Sequence, residues 1–321
     1  MIKILANDGI DSDGKLLLED AGYQVDTEKV PQEKLPEVLK NYDVITVRSA
    51  TKVRKDLIDA CPNLKIIARG GVGLDNIDVE YAESKGIAVI NTPAASSQSV
   101  AELTFGHLFN LARFLHLSNR QMPTVGDSEF KKLKSAFSDG FQLRGKTLGI
   151  IGFGRIGQET ARIGIALGME VKPVDLVIDK ATIDINVYNS DSVKMSVHLS
   201  TYPWEEVLST SDFISLHVPF GGGKPLIGKE EIAKMKEGVC LINTARGGAI
   251  DEDALLEGLA SGKIRGAGLD VFENEPTPKR ALLDHPSVSV SPHIGAATVE
   301  AQGNIGRELA DKIIAYFGDD K

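Results

Sequence analysis

Short apolar runs alternate with helix-period stretches along the chain. Up to residue 96, strand-like runs fall at 3–6, 43–47, 64–68 and 88–90, and helix-like stretches at 12–21, 32–39, 55–60 and 79–85. Alternation of this kind predicts parallel strands joined by crossover helices. A long helix over 97–119 follows, apolar around most of its circumference: Val100, Leu103, Phe105, Leu108, Phe109, Leu111, Phe114 and Leu115. Such a helix needs cover on several sides, from another domain or a second subunit. The alternation then resumes, with strands at 146–151, 170–174, 213–217, 239–242, 266–269 and 287–290, and helices at 155–167, 229–235, 252–261 and 298–317. Residues 183–199 alternate with period two about an Asn-Ser-Asp-Ser turn and predict a β-hairpin insertion.

One junction carries chemistry of its own. The apolar run 146–151 leads directly into Gly152, Gly154 and Gly157, spaced G-x-G-x-x-G, with Arg155 and Ile156 opening the next helix. Gly152 permits the tight turn out of the strand, Gly154 lets a pyrophosphate approach the backbone, and Gly157 lets the helix pack on the strand. The helix start aims free N–H groups at the phosphates. The next strand ends in Asp175, where an acid meets a ribose 2′-hydroxyl. Pro173, two residues earlier, cannot donate to a sheet ladder and predicts an edge strand or a bulge.

Composition narrows the classes. The 321 residues suggest two domains, and a net charge of −9 disfavours a nucleic-acid backbone as partner. Cys61 and Cys240, without C-x-x-C spacing, fit neither a disulfide scaffold nor a zinc site. No metal site is expected. No signal peptide and no long apolar span is evident, so a cytoplasmic protein without membrane attachment is expected.

Three later strands also end in candidate chemistry, and ligands of open α/β sheets bind at such carboxyl ends. Asn243-Thr-Ala-Arg246-Gly-Gly supplies a cation. Asp270-Val-Phe-Glu-Asn-Glu275-Pro supplies carboxylates, and Ser291-Pro-His293-Ile-Gly295-Ala296 a base. A cation for a substrate carboxylate, a base, and a carboxylate to orient that base form a recognisable set. Among the other histidines, His107 and His116 read as packing or surface residues of the long helix, and His285 as a turn residue. His217 suits a cofactor contact as well as a structural role, and no function is assigned to His198. Lys131, Lys132 and Lys134 read as a solvated helix face.

The glycine fingerprint and these three stretches, in this order, resemble the D-isomer-specific 2-hydroxyacid dehydrogenases over essentially the whole chain. Val47-Arg48-Ser49-Ala-Thr51, Ala68-Arg69-Gly-Gly-Val72-Gly73 and Asn91-Thr-Pro-Ala most resemble the branch of that family acting on D-3-phosphoglycerate. The resemblance implies Arg246 at the substrate carboxylate and carbonyl, His293 as acid/base and Glu275 as its partner. It implies Asp270 at the nicotinamide carboxamide. Val72, Arg155, Ile156, Asp175, Val218, Pro219, Thr244, Ala245, Arg246 and the backbone of His293, Gly295 and Ala296 would line NAD. Arg48, Ser49, Arg69, Val72 and Gly73 would bind substrate together with Arg246 and His293.

The fold that follows is α/β, with two doubly wound parallel-sheet domains. A Rossmann-type nucleotide domain, 97–289, is inserted into a flavodoxin-like substrate domain, 1–96 and 290–321, with the active site in the cleft and hinges near 97 and 290. The resemblance also implies a homodimer acting on a small-molecule 2-hydroxy acid. It implies oxidation of D-3-phosphoglycerate at the first step of phosphorylated serine biosynthesis, in a short form without the regulatory domain of longer relatives. The alternatives are a glyoxylate, hydroxypyruvate or D-lactate-type reductase, and a non-catalytic NADH-sensing binding module.

Overall fold

The computed structural model describes residues 1–186 and 194–318. It divides into two compact units, Met1–Ser97 with Ala296–Lys321, and Gln98–Gly295.

In the first unit, β1 (Lys3–Ala6), β2 (Gln24–Asp26), β3 (Val44–Val47), β4 (Ile66–Arg69) and β5 (Ala88–Asn91) form a parallel sheet of order β2-β1-β3-β4-β5. That is the flavodoxin-like order, and it puts ligands at the carboxyl edge where the order reverses. Side chains alternate across the strands, so each strand feeds two cores. Ile4, Ala6, Val44, Ile66 and Ala68 pack on Ile305, Leu309 and Ile313 of the helix Val299–Gly318. Leu5, Ile45, Val47 and Ile67 pack on Leu35, Leu39, Leu57 and Ile58. Both faces are covered, which is why β1, β3 and β4 read as nearly continuous apolar runs. The pattern did not predict β2. Val25 is its one apolar residue, and pairing with β1 defines it.

In the second unit, β6 (Thr147–Ile151), β7 (Glu170–Val174), β8 (Lys180–Asn186), β9 (Lys194–Ser200), β10 (Phe213–Leu216), β11 (Val239–Asn243), β12 (Ile264–Leu269) and β13 (Val288–Val290) follow in sequence. Six form a parallel sheet, β13-β12-β11-β10-β6-β7. The chain leaves β6 for β7 on one side and returns to β10 on the other, so the switch point lies at the carboxyl end of β6. β7 is an edge strand, as Pro173 predicts. β8 and β9 form a separate antiparallel hairpin. Ile183 anchors it in the core with Leu148 and Val171, and Arg162 donates to the Asp184 carbonyl at 2.7 Å. The expected Asn-Ser-Asp-Ser turn lies outside the described residues.

Two expectations change. The long helix is not continuous over 97–119. It runs Ser97–Arg113, breaks at Phe114 with φ 54°, and resumes as Leu115–Val125. A left-handed residue cannot continue the hydrogen-bond ladder. Within the single chain, Ala101, Phe105, Leu108 and Ala112 line one buried face, and Phe109 and Leu115 are exposed. The second crossing falls after Gly295 rather than near 290. β13 pairs with β12, and the Asp270 carboxylate accepts from Ile294 N and Gly295 N, so this segment stays in the second unit.

Candidate active site

The glycine turn is shaped by close approach. Gly152 has φ +94°, and a Cβ there would lie 2.7 Å from the His217 carbonyl oxygen. A Cβ at Gly157 would lie 2.0 Å from the Gly152 carbonyl oxygen, so only hydrogen lets the helix Arg155–Ala166 sit on the turn. A Cβ at Gly154 would meet nothing within 4 Å, and no side chain caps this helix start. Open space before uncapped N–H groups suits a pyrophosphate.

The Asp175 carboxylate is turned back onto that loop. Oδ2 accepts from Phe153 N at 2.6 Å, and Oδ1 from Val177 N at 2.8 Å and Ile178 N at 3.0 Å. Burial pushes this carboxyl up, but the Val177, Phe153 and Ile178 amides outweigh it and hold it below its usual range. A carboxylate offers about four acceptor positions. Oδ1 takes two of these bonds and Oδ2 one, so Oδ2 is the oxygen with room for a ribose hydroxyl. Val218 and Pro219 follow β10 at the switch point. Beside them His217 Nε2 meets Ser215 Oγ at 2.9 Å, and burial pushes the imidazole down to about 3. His217 is half-buried, and its buried Nδ1 has no hydrogen-bond partner among the described residues, so the neutral ring suits a cofactor contact as well as a structural role.

Asn243 builds the turn that carries Arg246: its amide donates to the Arg246 carbonyl at 2.8 Å and accepts from Ala245 N at 3.1 Å. Sequence reasoning missed Asn243; an amide at a strand end before a turn was the available signal. Thr244 is buried and its hydroxyl is held by Thr104 Oγ1 at 3.0 Å. Arg246 is half-buried, with Nη1 donating to the Ala245 carbonyl at 2.7 Å. A Cβ at Gly247 would lie 1.8 Å from the Phe272 carbonyl oxygen, so this turn packs directly on the loop bearing Glu275.

Glu275 and His293 meet. Glu275 Oε1 accepts from Phe272 N at 3.0 Å, and Oε2 lies 2.8 Å from His293 Nδ1. A carboxylate only accepts, so Nδ1 carries the proton and the neutral ring presents the Nε2 lone pair. His293 has φ 55°, an uncommon conformation for a side-chain-bearing residue. Asp270 holds it there. The Asp270 carbonyl accepts from His293 N at 2.8 Å, and its carboxylate accepts from Ser291 Oγ at 2.5 Å, Ile294 N at 2.9 Å and Gly295 N at 2.8 Å. Asp270 is 1% exposed. One acceptor position on Oδ2 remains for a carboxamide N–H. The glycine turn, Asp175 and Asp270 therefore fit a dinucleotide.

The first unit carries its own set past β3 and β4. The Asp8 carboxylate accepts from Arg48 N at 2.8 Å and Thr51 N at 3.0 Å, and Asn76 donates to the Arg48 carbonyl at 2.7 Å. Ser49 is exposed beside it, and among the described residues the Arg48 guanidinium has no hydrogen-bond or ion-pair partner. The Arg69 guanidinium lies over Gly71, where a Cβ would come within 2.0 Å of Nη1. Val72 is exposed, Gly73 half-exposed, and the Val72 carbonyl accepts from Asn91 at 2.7 Å. Ala296 opens the returning segment, its carbonyl accepting from Gln302 at 2.8 Å.

A family model, D-isomer specific 2-hydroxyacid dehydrogenase, NAD binding domain, matches residues 105–295. The chain belongs to this family. It is 44% identical to hydroxypyruvate reductase of Thermotoga maritima over 98% of each protein. It is 43% identical to D-3-phosphoglycerate dehydrogenase of Methanocaldococcus jannaschii, over 98% of this chain but 57% of that protein. The solved structure of D-lactate dehydrogenase from Aquifex aeolicus, complexed with NAD and lactic acid, superposes with a TM-score of 0.75 at 30% identity, covering 99% of this chain and 96% of that one. The chain is an NAD-dependent D-2-hydroxyacid dehydrogenase with two parallel-sheet α/β domains. Among the described residues no helix is long and apolar enough to cross a membrane, and no acidic, histidine or cysteine cluster could hold a metal ion.

Proposed function

We propose that this chain oxidises D-3-phosphoglycerate to 3-phosphohydroxypyruvate, acting as a homodimer. His293 Nε2 takes the C2 hydroxyl proton, and Glu275 orients the ring and compensates the charge it acquires. Arg246 holds the substrate carboxylate through its planar fork and stabilises negative charge on the developing carbonyl oxygen. NAD, when bound by the glycine turn, Asp175 and Asp270, supplies the acceptor for the C2 hydride. The observation that carries the substrate reading is the Arg48 guanidinium, without a partner among the described residues, past the carboxyl end of β3. A C3 phosphate needs a cation of its own, because its charge is too costly to bury unpaired. Arginine suits phosphate by bidentate contact.

Hydroxypyruvate reduction is the second reading, favoured by the Thermotoga maritima relative that matches over nearly the full length of both proteins. Its substrate differs from phosphohydroxypyruvate only by the phosphate, so one comparison separates the two. Arg48→Ala is expected to raise KM for phosphohydroxypyruvate about 10- to 150-fold, the worth of a charge-assisted hydrogen bond, and to leave KM for hydroxypyruvate nearly unchanged. Equal effects on both would show that Arg48 does not read a phosphate. Wild-type preference for hydroxypyruvate would establish the reductase instead.

The cofactor preference is expected to be NAD over NADP. The amides hold the Asp175 carboxylate in its charged form, and a carboxylate at the ribose would repel a 2′-phosphate by like charge. Initial rates with the two cofactors test this. Comparable kcat/KM for NADH and NADPH would remove Asp175 from the ribose site.

A further inference from the structure

His107 lies on the helix Ser97–Arg113, whose face over β12 is set by two glycines. A Cβ at Gly268 would lie 2.6 Å from His107 Cβ, and one at Gly266 would lie 3.0 Å from Leu111 Cδ2. The bare strand lets the helix backbone approach, and it places the His107 ring, 2% exposed, beside the last residues of β12 and the loop beyond β13. Both ring nitrogens are engaged. Nδ1 is 2.9 Å from Ser289 Oγ and Nε2 is 3.0 Å from Ser291 Oγ, while Asn110 Nδ2 donates to Ser289 Oγ at 3.0 Å.

The direction of every bond in this chain is forced from its end. The Asp270 carboxylate only accepts, so the Ser291 hydroxyl donates its single proton to Asp270 Oδ1. Ser291 Oγ then receives from His107, and His107 is the Nε2–H tautomer. Its bare Nδ1 accepts from the Ser289 hydroxyl, which in turn accepts from Asn110. The order is Asn110 to Ser289 to His107 to Ser291 to Asp270. Burial, partly offset by Asp270, pushes the His107 imidazole down to about 4, which keeps the neutral form this order requires.

We propose that His107 is a positioning residue for the reaction: through Ser291 it fixes the Asp270 carboxylate, which holds residues 293–295 and so sets the place of the His293 ring. The inference rests on the acid/base reading of His293. Without the Nε2–H donor, Ser291 Oγ is free to turn from Asp270. The carboxylate then loses its shortest bond and can rotate away from Ile294 N and Gly295 N. Residues 293–295 then lose two of the three bonds by which Asp270 holds their amides, so the imidazole moves off its line to the substrate oxygen.

The test uses the full-length protein with hydroxypyruvate and NADH, and with NADH deuterated at the transferred C4 position. His107→Phe keeps an aromatic ring in the slot and removes both polar atoms. It is expected to lower kcat and kcat/KM together by about 10- to 100-fold, as small misplacements of reacting groups do, and to raise the deuterium isotope effect on kcat. Ser291→Ala should do the same, and carries the test if His107→Phe does not fold. The double variant should be no worse than the weaker single one, because both break one chain of bonds. His107→Gln, which places an amide donor near the position of Nε2, should return kcat to within about threefold of wild type. A lower Tm with unchanged kcat and isotope effect in both single variants would reduce His107 to a packing residue and overturn the proposal. His293→Ala, measured in parallel, separates the two failures. Retained activity there would overturn the acid/base reading itself, whereas loss there with intact His107 and Ser291 variants would overturn only the positioning role.

Discussion

Replacing His293 with alanine is expected to lower kcat by about 10²–10⁴-fold, the usual worth of general acid–base catalysis, and to leave NADH binding nearly intact. The imidazole is 2.8 Å from Glu275 through Nδ1, so Nε2 is the atom free for the substrate hydroxyl. What the alanine removes is the proton acceptor. The contacts that shape the cofactor loop on this side are made by backbone, His293 N to the Asp270 carbonyl and Ile294 N and Gly295 N to its carboxylate, and alanine keeps them. Stopped-flow measurement of single-turnover hydride transfer, with NADH binding followed by fluorescence, checks both halves. A variant with more than about a tenth of wild-type kcat would fall outside that range and would take His293 out of the reaction.

Replacing Arg246 with alanine is expected to lower kcat/KM by about 10²–10⁴-fold. The figure corresponds to two charge-assisted hydrogen bonds of about 1.5–3 kcal/mol each. The turn itself should survive, because Asn243 holds its backbone through the Arg246 carbonyl and Ala245 N, groups present whatever side chain occupies 246. Arg246→Lys should recover little of the loss, since a point charge cannot reproduce a bidentate fork. Steady-state kinetics on variants matched to wild type by circular dichroism would decide. A loss below about tenfold in kcat/KM, less than one such bond is worth, would detach Arg246 from the substrate carboxylate.

Much of the frame was legible before any coordinates. Strands covered on both faces are apolar at nearly every position, so β1, β3, β4, β6, β10 and β11 stand out as short apolar runs. A turn that must admit a phosphate and a close-packed helix can use only glycine at defined positions, so Gly152, Gly154 and Gly157 declared the nucleotide site. Pro173 announced an edge strand because it has no N–H to give a neighbour. Arg246, Glu275 and His293 could be picked out as candidates because each follows a strand, and a parallel sheet delivers all its strand ends to one rim.

What the pattern could not carry lies in contacts between distant residues. β2 has one apolar residue and exists as a strand because β1 offers a partner. Phe114 breaks a helix with neither glycine nor proline to signal it. The second crossing moved past Gly295 because a buried carboxylate on another segment claims the amides of 294 and 295. His107 is the plainest case. Along the chain it is one polar residue on an apolar helix, open to reading as packing. Its partners Ser289 and Ser291 lie 182 and 184 residues away. Local spacing decides whether a helix or a strand forms, because period and propensity act within a few residues. The proton on a buried ring is decided by the acceptor at the end of a hydrogen-bonded chain, and only the tertiary structure brings Asp270 to that end.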